Sequence, residues 1–339
     1  MKAKDLPILG ISMGDPAGIG PEVVVKAVLD DRVQEACCPL VVGDAQWLDR
    51  TLQGCRLPGE VRVVDGVDAI QPGRKGIWVL DLGNVPEGLS LGKVQGAAGQ
   101  AALEYVTKAV ELALQGQTDG IVTAPLNKAA VNAAGHQGFT GHTEYIAQLT
   151  GAPEVAMLLA LDSLYISHVT THAALREVPD LVTPQRLQRV LELTADMART
   201  LGPTHHPIAV AGLNPHSGEE GLFGDEEVKV IVPVIEAARE RGMKVVGPLP
   251  PDTVFLRAHR GEFSFVVAMY HDQGHIPAKL LGFETGVNVT LGLPIVRTSV
   301  DHGTAFDIAG TGVADPASMI AAILLGARLA RGLDKNVGI

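Results

Sequence analysis

Residues 8–29, ILGISMGDPAGIGPEVVVKAVL, decide the fold. The apolar run Ile8–Ser12 predicts a buried strand, and Glu22–Leu29 predicts a helix with Pro21 near its first turn. A glycine-rich loop, residues 13–20, joins the two. The order of strand, loop and helix recurs along the chain, because short aliphatic runs repeatedly end at Gly, Pro, Asn or His and precede helix-like stretches. This alternation is typical of an α/β fold with a mostly parallel sheet.

Other segments show the same two periodicities. Alanine and leucine recur at helical spacing from Gly96 to Leu114, which predicts the longest helix of the first half. Further strands are predicted at Leu40–Val42 and Gly120–Val122. Further helices are predicted at Leu187–Leu201, Val230–Glu240 and Ser318–Leu329. We find no fixed-period repeat and no Gly/Ser linker, so the chain crosses between its domains through ordered segments.

Length and composition bound the class of protein. A chain of 339 residues suits two domains of ordinary size, and two domains imply a cleft. Hydrophobic residues make up 46% and charged residues 19%, which predicts a large aliphatic core rather than disorder. The formal net charge of −11 argues against a surface for nucleic acid or anionic lipid. An anionic substrate therefore has to meet a local basic cluster.

The cysteines and the apolar runs bear on location. Cys37, Cys38 and Cys55 are an odd number in a large chain and lie away from the histidine-rich segments, so neither a disulfide framework nor a thiolate metal site is predicted. No apolar run approaches the ~20 residues of a membrane-spanning helix. We expect a cytoplasmic protein without a membrane partner.

Three histidines each follow a predicted strand. Leu164–Thr171 leads to His172, Ile208–Leu213 leads to Asn214-Pro215-His216, and Val266–Tyr270 leads to His271. Ligands of parallel α/β folds collect at the carboxyl ends of strands, so these imidazoles can converge on a catalytic divalent metal. Taken singly, each is more often an ordinary core or surface residue. That ordinary interpretation is kept for the remaining candidates, His168, His205, His206 and His259.

Three polar segments add possible binding groups. The amides of residues 14–20 can face an anion, although the segment is neither G-x-G-x-x-G nor a P-loop and a tight turn explains it equally well. Lys279, Asn288 and Arg297 follow His271 and can hold phosphate and carboxylate, although lone surface cations are usually solvated. Residues 301–310 are too polar and glycine-rich for a core strand and indicate a functional loop, with an ordinary turn as the alternative.

Several motifs occur together in one order: Met13–Glu22, Thr123–Lys128, Gly141–Glu144, Asn214–His216, Tyr270–Gly274 and Asp301–Ala305. Together they closely resemble the 4-hydroxythreonine-4-phosphate dehydrogenase family (PdxA-type), over nearly the whole chain. The resemblance implies an α/β, two-domain α/β/α sandwich like isocitrate and isopropylmalate dehydrogenases. It also implies a homodimer whose active site lies in the interdomain cleft and is completed by the neighbouring subunit. We expect a nucleotide-side domain of residues 1–125 plus 284–339, and a metal, substrate and dimerisation domain of residues 126–283.

The resemblance also assigns residues. It implies that His172, His216 and His271 bind one divalent metal (Zn, Mg, Co or Mn), with His271 serving the other subunit's site. The implied substrate-binding set is His142, Thr143, Lys279, Asn288 and Arg297. A further similarity to the adenine-nucleotide loop of isopropylmalate dehydrogenases implies that NAD or NADP is bound by Asp301, His302, Gly303, Thr304, Ala305 and Asp307.

The implied reaction is NAD(P)-dependent oxidation of the C3 hydroxyl of a 4-phosphorylated four-carbon hydroxy acid, followed by decarboxylation. Three groups are candidates for the base that takes the hydroxyl proton, Lys279, Asp252 and Asp272, and the two aspartates can equally orient the imidazoles. The substrate is either 4-hydroxythreonine 4-phosphate, of pyridoxine biosynthesis, or D-threonate or D-erythronate 4-phosphate, of D-threonate catabolism. Residues 221–227, 273–277 and 306–310 are more similar to the second branch.

Two rival functions stay open. Three histidines and a phosphate clamp also suit a metal-dependent hydrolase of a small phosphorylated metabolite, which would need no nicotinamide. A non-catalytic metabolite-binding protein on the same fold is the other rival.

Overall fold

The computed structural model describes residues 6–71, 75–161, 164–202, 206–282 and 286–336. The chain divides into two units, unit 1 (Met1–Pro153 with Leu293–Ile339) and unit 2 (Glu154–Gly292). The sequence placed the boundaries earlier, after residues 125 and 283. The first boundary lies later because the two helices between residues 128 and 150 pack against the helix Gly96–Leu114 of unit 1. The second boundary lies later because the strand Val287–Leu291 pairs with the strand Ala156–Leu161 of unit 2.

The strands are β1 (Ile8–Ser12), β2 (Cys38–Gly43), β3 (Val61–Val64), β4 (Ile77–Asp81), β5 (Gly120–Thr123), β6 (Ala156–Leu161), β7 (Leu164–His168), β8 (Ile208–Ala211), β9 (Val245–Leu249), β10 (Phe265–Ala268), β11 (Val287–Leu291) and β12 (Arg297–Val300). The helices are α1 (Gly20–Val28), α2 (Asp31–Ala36), α3 (Ala45–Gly54), α4 (Gly96–Leu114), α5 (Lys128–Ala133), α6 (His142–Thr150), α7 (Val178–Leu181), α8 (Pro184–Leu201), α9 (Val232–Glu240), α10 (Pro251–His259), α11 (His271–Gly282) and α12 (Ala317–Asn336). Within the described ranges, none of these helices is both long and apolar enough to cross a membrane.

Unit 1 is built on a parallel sheet with the strand order β3-β4-β2-β1-β5-β12. Successive side chains of a strand point to opposite faces of the sheet. A Cβ on Gly10 would lie 3.7 Å from Ala109 of α4, and a Cβ on Gly326 of α12 would lie 3.4 Å from Leu9. Helices α4 and α12 therefore cover opposite faces, and unit 1 is an α/β/α sandwich.

Unit 2 has the strand order β11-β6-β7-β10-β8-β9, in which β7, β10, β8 and β9 are parallel and the pairs of β6 are antiparallel. Thr194 of α8 donates to Ser167 Oγ at 2.8 Å, whereas Gly274 of α11 lies against Ile166 and His168. Because Ser167 points away from its two neighbours in β7, α8 and α11 cover opposite faces. The predicted α/β class and the mostly parallel sheet are confirmed.

Candidate active site

The three candidate metal ligands follow three adjacent parallel strands of unit 2. His172 lies beyond the end of β7, His271 begins α11 after β10, and His216 lies beyond the end of β8. Their strands end at the same edge of the sheet, as the sequence predicted. The His172 and His271 ring centroids are 5.9 Å apart.

Side-chain hydrogen bonds tie these three strand ends together. The buried Gln273 accepts from Met269 N at 2.7 Å and donates to Gly212 O at 2.8 Å, which joins the loops after β10 and β8. Thr170 Oγ1 donates to Met269 O at 2.8 Å, which joins the loops after β7 and β10. Sequence reasoning did not identify these two residues as contributors to the site. Their contacts fix the backbone from which the three imidazoles project.

His271 has an oriented ring. Its Nδ1 lies 2.7 Å from Asp272 Oδ1, and the ring of the buried His275 stacks on it at 3.7 Å between centroids and 9° between planes. Such a carboxylate partner fixes the tautomer of a metal-binding histidine and leaves Nε2 for coordination. Asp272 therefore has the geometry of an orienting group.

The residues fit a divalent cation in chemistry, since imidazoles suit zinc and cobalt. Among the described residues of one chain, no three histidine, cysteine or carboxylate side chains are grouped so that they could hold a metal ion. A site shared between two subunits, which the resemblance implies, would take only part of its ligands from each chain. The metal assignment stays a prediction.

Two of the three candidate bases line one groove of unit 2. Asp252, on the first turn of α10, and Asp272 both face this groove of about 440 Å³, and Ile276 and Leu280 are among its apolar walls. Lys279 lies on the exposed side of α11. Asn288, on β11, is partly buried, and its Oδ1 has no hydrogen-bond partner within the part of the chain that the structure describes.

Unit 1 holds the rest of the predicted substrate set. Arg297, the first residue of β12, is 3% exposed and donates from Nη2 to Thr123 Oγ1 at 2.8 Å. Burial lowers the pKa of its guanidinium to about 10, against the opposing effect of Glu144, so the group stays cationic at neutral pH. His142 and Thr143 begin α6 of this unit, although the sequence assigned them to the other domain.

His142 sits in a cationic environment. Burial lowers its pKa well below the ordinary value, and the charges of Arg297 and Lys128 lower the pKa further, so the imidazole is neutral. In the described ranges its Nε2 is buried without a hydrogen-bond partner. A neutral imidazole beside two cations suits an anionic ligand. Lys128 was not singled out from the sequence, although it ends the motif Thr123–Lys128.

The candidate nucleotide loop, residues 301–310, is hydrogen-bonded to the glycine-rich loop and to α1. Thr304 O accepts from Ile19 N at 3.0 Å, and Gly310 N donates to Glu22 Oε1 at 2.6 Å. His302, Gly303 and Asp307 stay exposed. Nearby, Gly310 joins Trp47 among the residues that line a cavity of about 250 Å³. The polypeptide therefore presents part of residues 301–310 to solvent and holds the rest rigidly.

The glycine-rich loop itself is a tight turn. The amides of Ala17, Gly18 and Ile19 donate to Asp15 Oδ1, Asp15 O and Thr304 O. With these donors engaged inside the protein, the alternative in which the loop cradles an anion is not supported. Its φ of +77° and the approach of Pro125 O to 2.6 Å from a Cβ leave only glycine possible at Gly14.

Replacing Asp15 is expected to change the pH dependence of stability. Asp15 is fully buried, and burial raises its pKa from 3.8 to about 6 against the backbone hydrogen bonds from Ala17 and Asn127. The folded state thus binds the proton more tightly, so stability falls as the pH rises from about 4 to about 6, by up to about 3 kcal/mol. Asp15→Asn should abolish this change, as measured by urea unfolding between pH 4 and 8. Parallel curves for the two proteins would contradict the assignment.

Comparisons with known proteins agree on one family. The sequence model of the family described as pyridoxal phosphate biosynthetic protein PdxA matches residues 35–326. A relative from Cupriavidus necator, named D-threonate 4-phosphate dehydrogenase, is 49% identical over 326 residues, which cover 96% of this chain and 98% of the relative. A solved structure from Klebsiella pneumoniae, described as 4-hydroxythreonine-4-phosphate dehydrogenase, is 46% identical, with a TM-score of 0.89 and coverage of 96% and 98%.

A more distant structure bears on the fold alone. The β-decarboxylating dehydrogenase from Thermococcus kodakarensis is 16% identical, with a TM-score of 0.51, and the match covers 97% of this chain and 84% of that one. The predicted fold, that of the isocitrate and isopropylmalate dehydrogenases, is therefore confirmed.

Proposed function

Since this chain belongs to the PdxA family and is a nicotinamide-dependent dehydrogenase, we propose that it oxidises D-threonate 4-phosphate at C3 and decarboxylates the product. The observation that carries the proposal is the placement of His172, His216 and His271 after three adjacent parallel strands. The relative's name and the segments similar to the D-threonate branch favour this substrate. 4-Hydroxythreonine 4-phosphate is the second candidate, favoured by the Klebsiella pneumoniae structure.

The first step removes a hydride and a proton from the C3 carbinol. When bound, the nicotinamide would accept the hydride, and a divalent cation, which His172, His216 and His271 would hold, would lower the pKa of the hydroxyl and polarise the ketone. Asp272 holds the His271 ring, which leaves Lys279 and Asp252 as the candidates for the proton acceptor. Both side chains are exposed in the single chain.

The second step breaks the bond between C1 and C2 of the 3-oxo acid. The carboxylate leaves as carbon dioxide, its bonding electrons stay on C2, and a proton from the same acid–base group completes a phosphorylated three-carbon ketone. Arg297 and Lys128 hold an anionic end of the substrate beside the neutral His142, with Thr143 adjacent. We also assign Lys279 and Asn288 to the substrate-binding set. We assign the nucleotide, NAD or NADP, to residues 301–307, with Asp301 and Asp307 at the two ends.

We further propose a cytoplasmic homodimer. Exposed apolar side chains of α10 and α11 form one patch on unit 2, in which Leu280 is 83% exposed, Ile276 59% and Leu256 49%. Contiguous apolar surface of this kind usually marks a contact with another protein, and a second copy is the most common partner. Part of the patch lies on α11, the helix that begins with His271, so an interface here would place this helix against the partner. The free thiols of all three cysteines support a reducing compartment.

The reaction can be tested directly. Purified protein, given a divalent metal and D-threonate 4-phosphate, is expected to reduce NAD or NADP and to release one carbon dioxide per nucleotide reduced. The measurements are absorbance at the reduced-nicotinamide band and trapped labelled carbon dioxide from C1. A side-by-side assay of 4-hydroxythreonine 4-phosphate decides between the two branches by kcat/KM. Reduction of neither nucleotide with either acid would overturn the proposal.

A further inference from the structure

The loop that carries His216 has a rare backbone conformation. Five consecutive residues, 216–220, have positive φ values of 54°, 56°, 78°, 40° and 57°, and only Gly218 among them is a glycine. L-residues avoid the left-handed region because Cβ crowds the following carbonyl, so they occupy it in sequence only when the surroundings impose it. Contacts from outside the turn therefore hold this backbone conformation.

The buried carboxylate of Glu227 supplies these contacts. Its Oε1 accepts from Leu213 N and from Asn214 N, each at 2.7 Å, and its Oε2 accepts from Asn214 Nδ2 at 2.9 Å. The same Oε2 would lie only 2.7 Å from a Cβ on Gly218, so it packs against the middle of the turn. Glu227 thus contacts both the turn itself and residues 213 and 214, which precede it.

The environment of Glu227 indicates a dedicated role. The residue is 2% exposed and begins a π-helical turn, Glu227–Ile231, a form that is rare and frequent at functional sites. A buried carboxylate is costly unless donors surround it, and here three N–H groups of residues 213 and 214 do so. A carboxylate at a solvent-exposed helix position is hydrated by water and would not need three N–H donors from the protein.

We propose that Glu227 is the positioning residue of His216: it holds the left-handed turn and so aims the imidazole at the divalent metal. The inference rests on the proposed function, in which His216 is a metal ligand. Glu227 has no contact with the reacting atoms in this proposal and acts only through the turn. Partners that orient metal ligands commonly change metal affinity about 10- to 100-fold when removed.

The test is Glu227→Gln, which keeps the size of the side chain but replaces one accepting oxygen with a donor. Titration of metal-free protein with Co²⁺, followed by visible absorption and calorimetry, should show affinity weaker by about 10- to 100-fold. With Co²⁺ at saturation, kcat should largely recover. Hydrogen exchange at the Leu213 and Asn214 amides should accelerate. Glu236→Gln, on the exposed face of α9, is the matched control and should leave Co²⁺ affinity unchanged.

A second variant separates positioning from folding. Asn214→Ala removes the side-chain hydrogen bonds of Nδ2 to Glu227 and to Glu226 and keeps both backbone bonds to Glu227. A smaller loss of Co²⁺ affinity is therefore expected, with unchanged circular dichroism. Wild-type Co²⁺ affinity in both Glu227→Gln and Asn214→Ala would overturn the inference while the proposed function stands. If His216→Ala keeps wild-type Co²⁺ affinity, the assignment of His216 as a metal ligand fails instead. In that case, unchanged hydrogen exchange at residues 213 and 214 in Glu227→Gln would also overturn the proposal that Glu227 holds the turn.

Discussion

Alanine at His172, His216 or His271 is expected to lower metal-dependent kcat/KM by about a thousandfold or more, because a catalytic cation contributes several kcal/mol and about 1.4 kcal/mol is tenfold in rate. His172 and His216 are exposed and His271 is partly buried, so each variant should fold with a stability close to that of the parent. Steady-state kinetics measures kcat/KM, and thermal unfolding measures the stability of each variant. His136→Ala, another exposed histidine, is the control and should retain full activity.

Mixing of two inactive variants tests whether the active site is shared between subunits. If His271 of one subunit completes the partner's site, a dimer that combines His172→Ala with His271→Ala contains one site with all three histidines. Random mixing of the two inactive chains should then restore about a quarter of the parent activity, since half of the dimers are mixed and each has one intact site. Recovery of no activity in dimers shown by mass to be mixed would mean that His271 serves its own chain.

Local patterns were enough to predict most of the elements and the place of the histidines. The bounds of β1 and α4 match the prediction because the hydrophobic period and flanking glycines act over a few residues. The first domain boundary was misplaced because α5 and α6 belong to unit 1 through packing against α4, a tertiary contact that no local pattern carries.

Glu227 and Gln273 lie in segments that the sequence comparison singled out, but their supporting roles in the site were missed for a related reason. Glu227 lies in a stretch of charged and apolar residues that reads as the start of an amphipathic helix, and its partners lie more than ten positions earlier. Gln273 looks like a polar neighbour of His271, yet both ends of its amide bind backbone atoms of two different loops. Only the strand order β7-β10-β8 shows why these residues matter, and that order is a property of the sheet.

Arg297 is expected to have the second largest effect. Its cationic guanidinium is buried at the start of β12, where the low dielectric strengthens its attraction for a substrate phosphate or carboxylate. Arg297→Gln should lower kcat/KM by about 100-fold or more, mostly through KM, because truncating one partner of a buried charge pair costs about 2–5 kcal/mol. Steady-state kinetics over a range of the phosphorylated acid measures the split between KM and kcat.

Controls distinguish this role of Arg297 from a structural one. Thr123→Val removes the hydrogen-bond acceptor of Nη2 and leaves the cation in place, so KM should rise far less than in Arg297→Gln if the guanidinium binds substrate. Arg297→Lys keeps the charge but loses the planar fork of donors, so its KM should lie between those of Thr123→Val and Arg297→Gln. If Thr123→Val and Arg297→Gln raise KM equally while both lower the unfolding temperature, the buried guanidinium supports the strand ends of β5 and β12 and the substrate assignment is wrong. A KM that follows the charge at position 297, at unchanged stability, is the result that an anion-binding role requires.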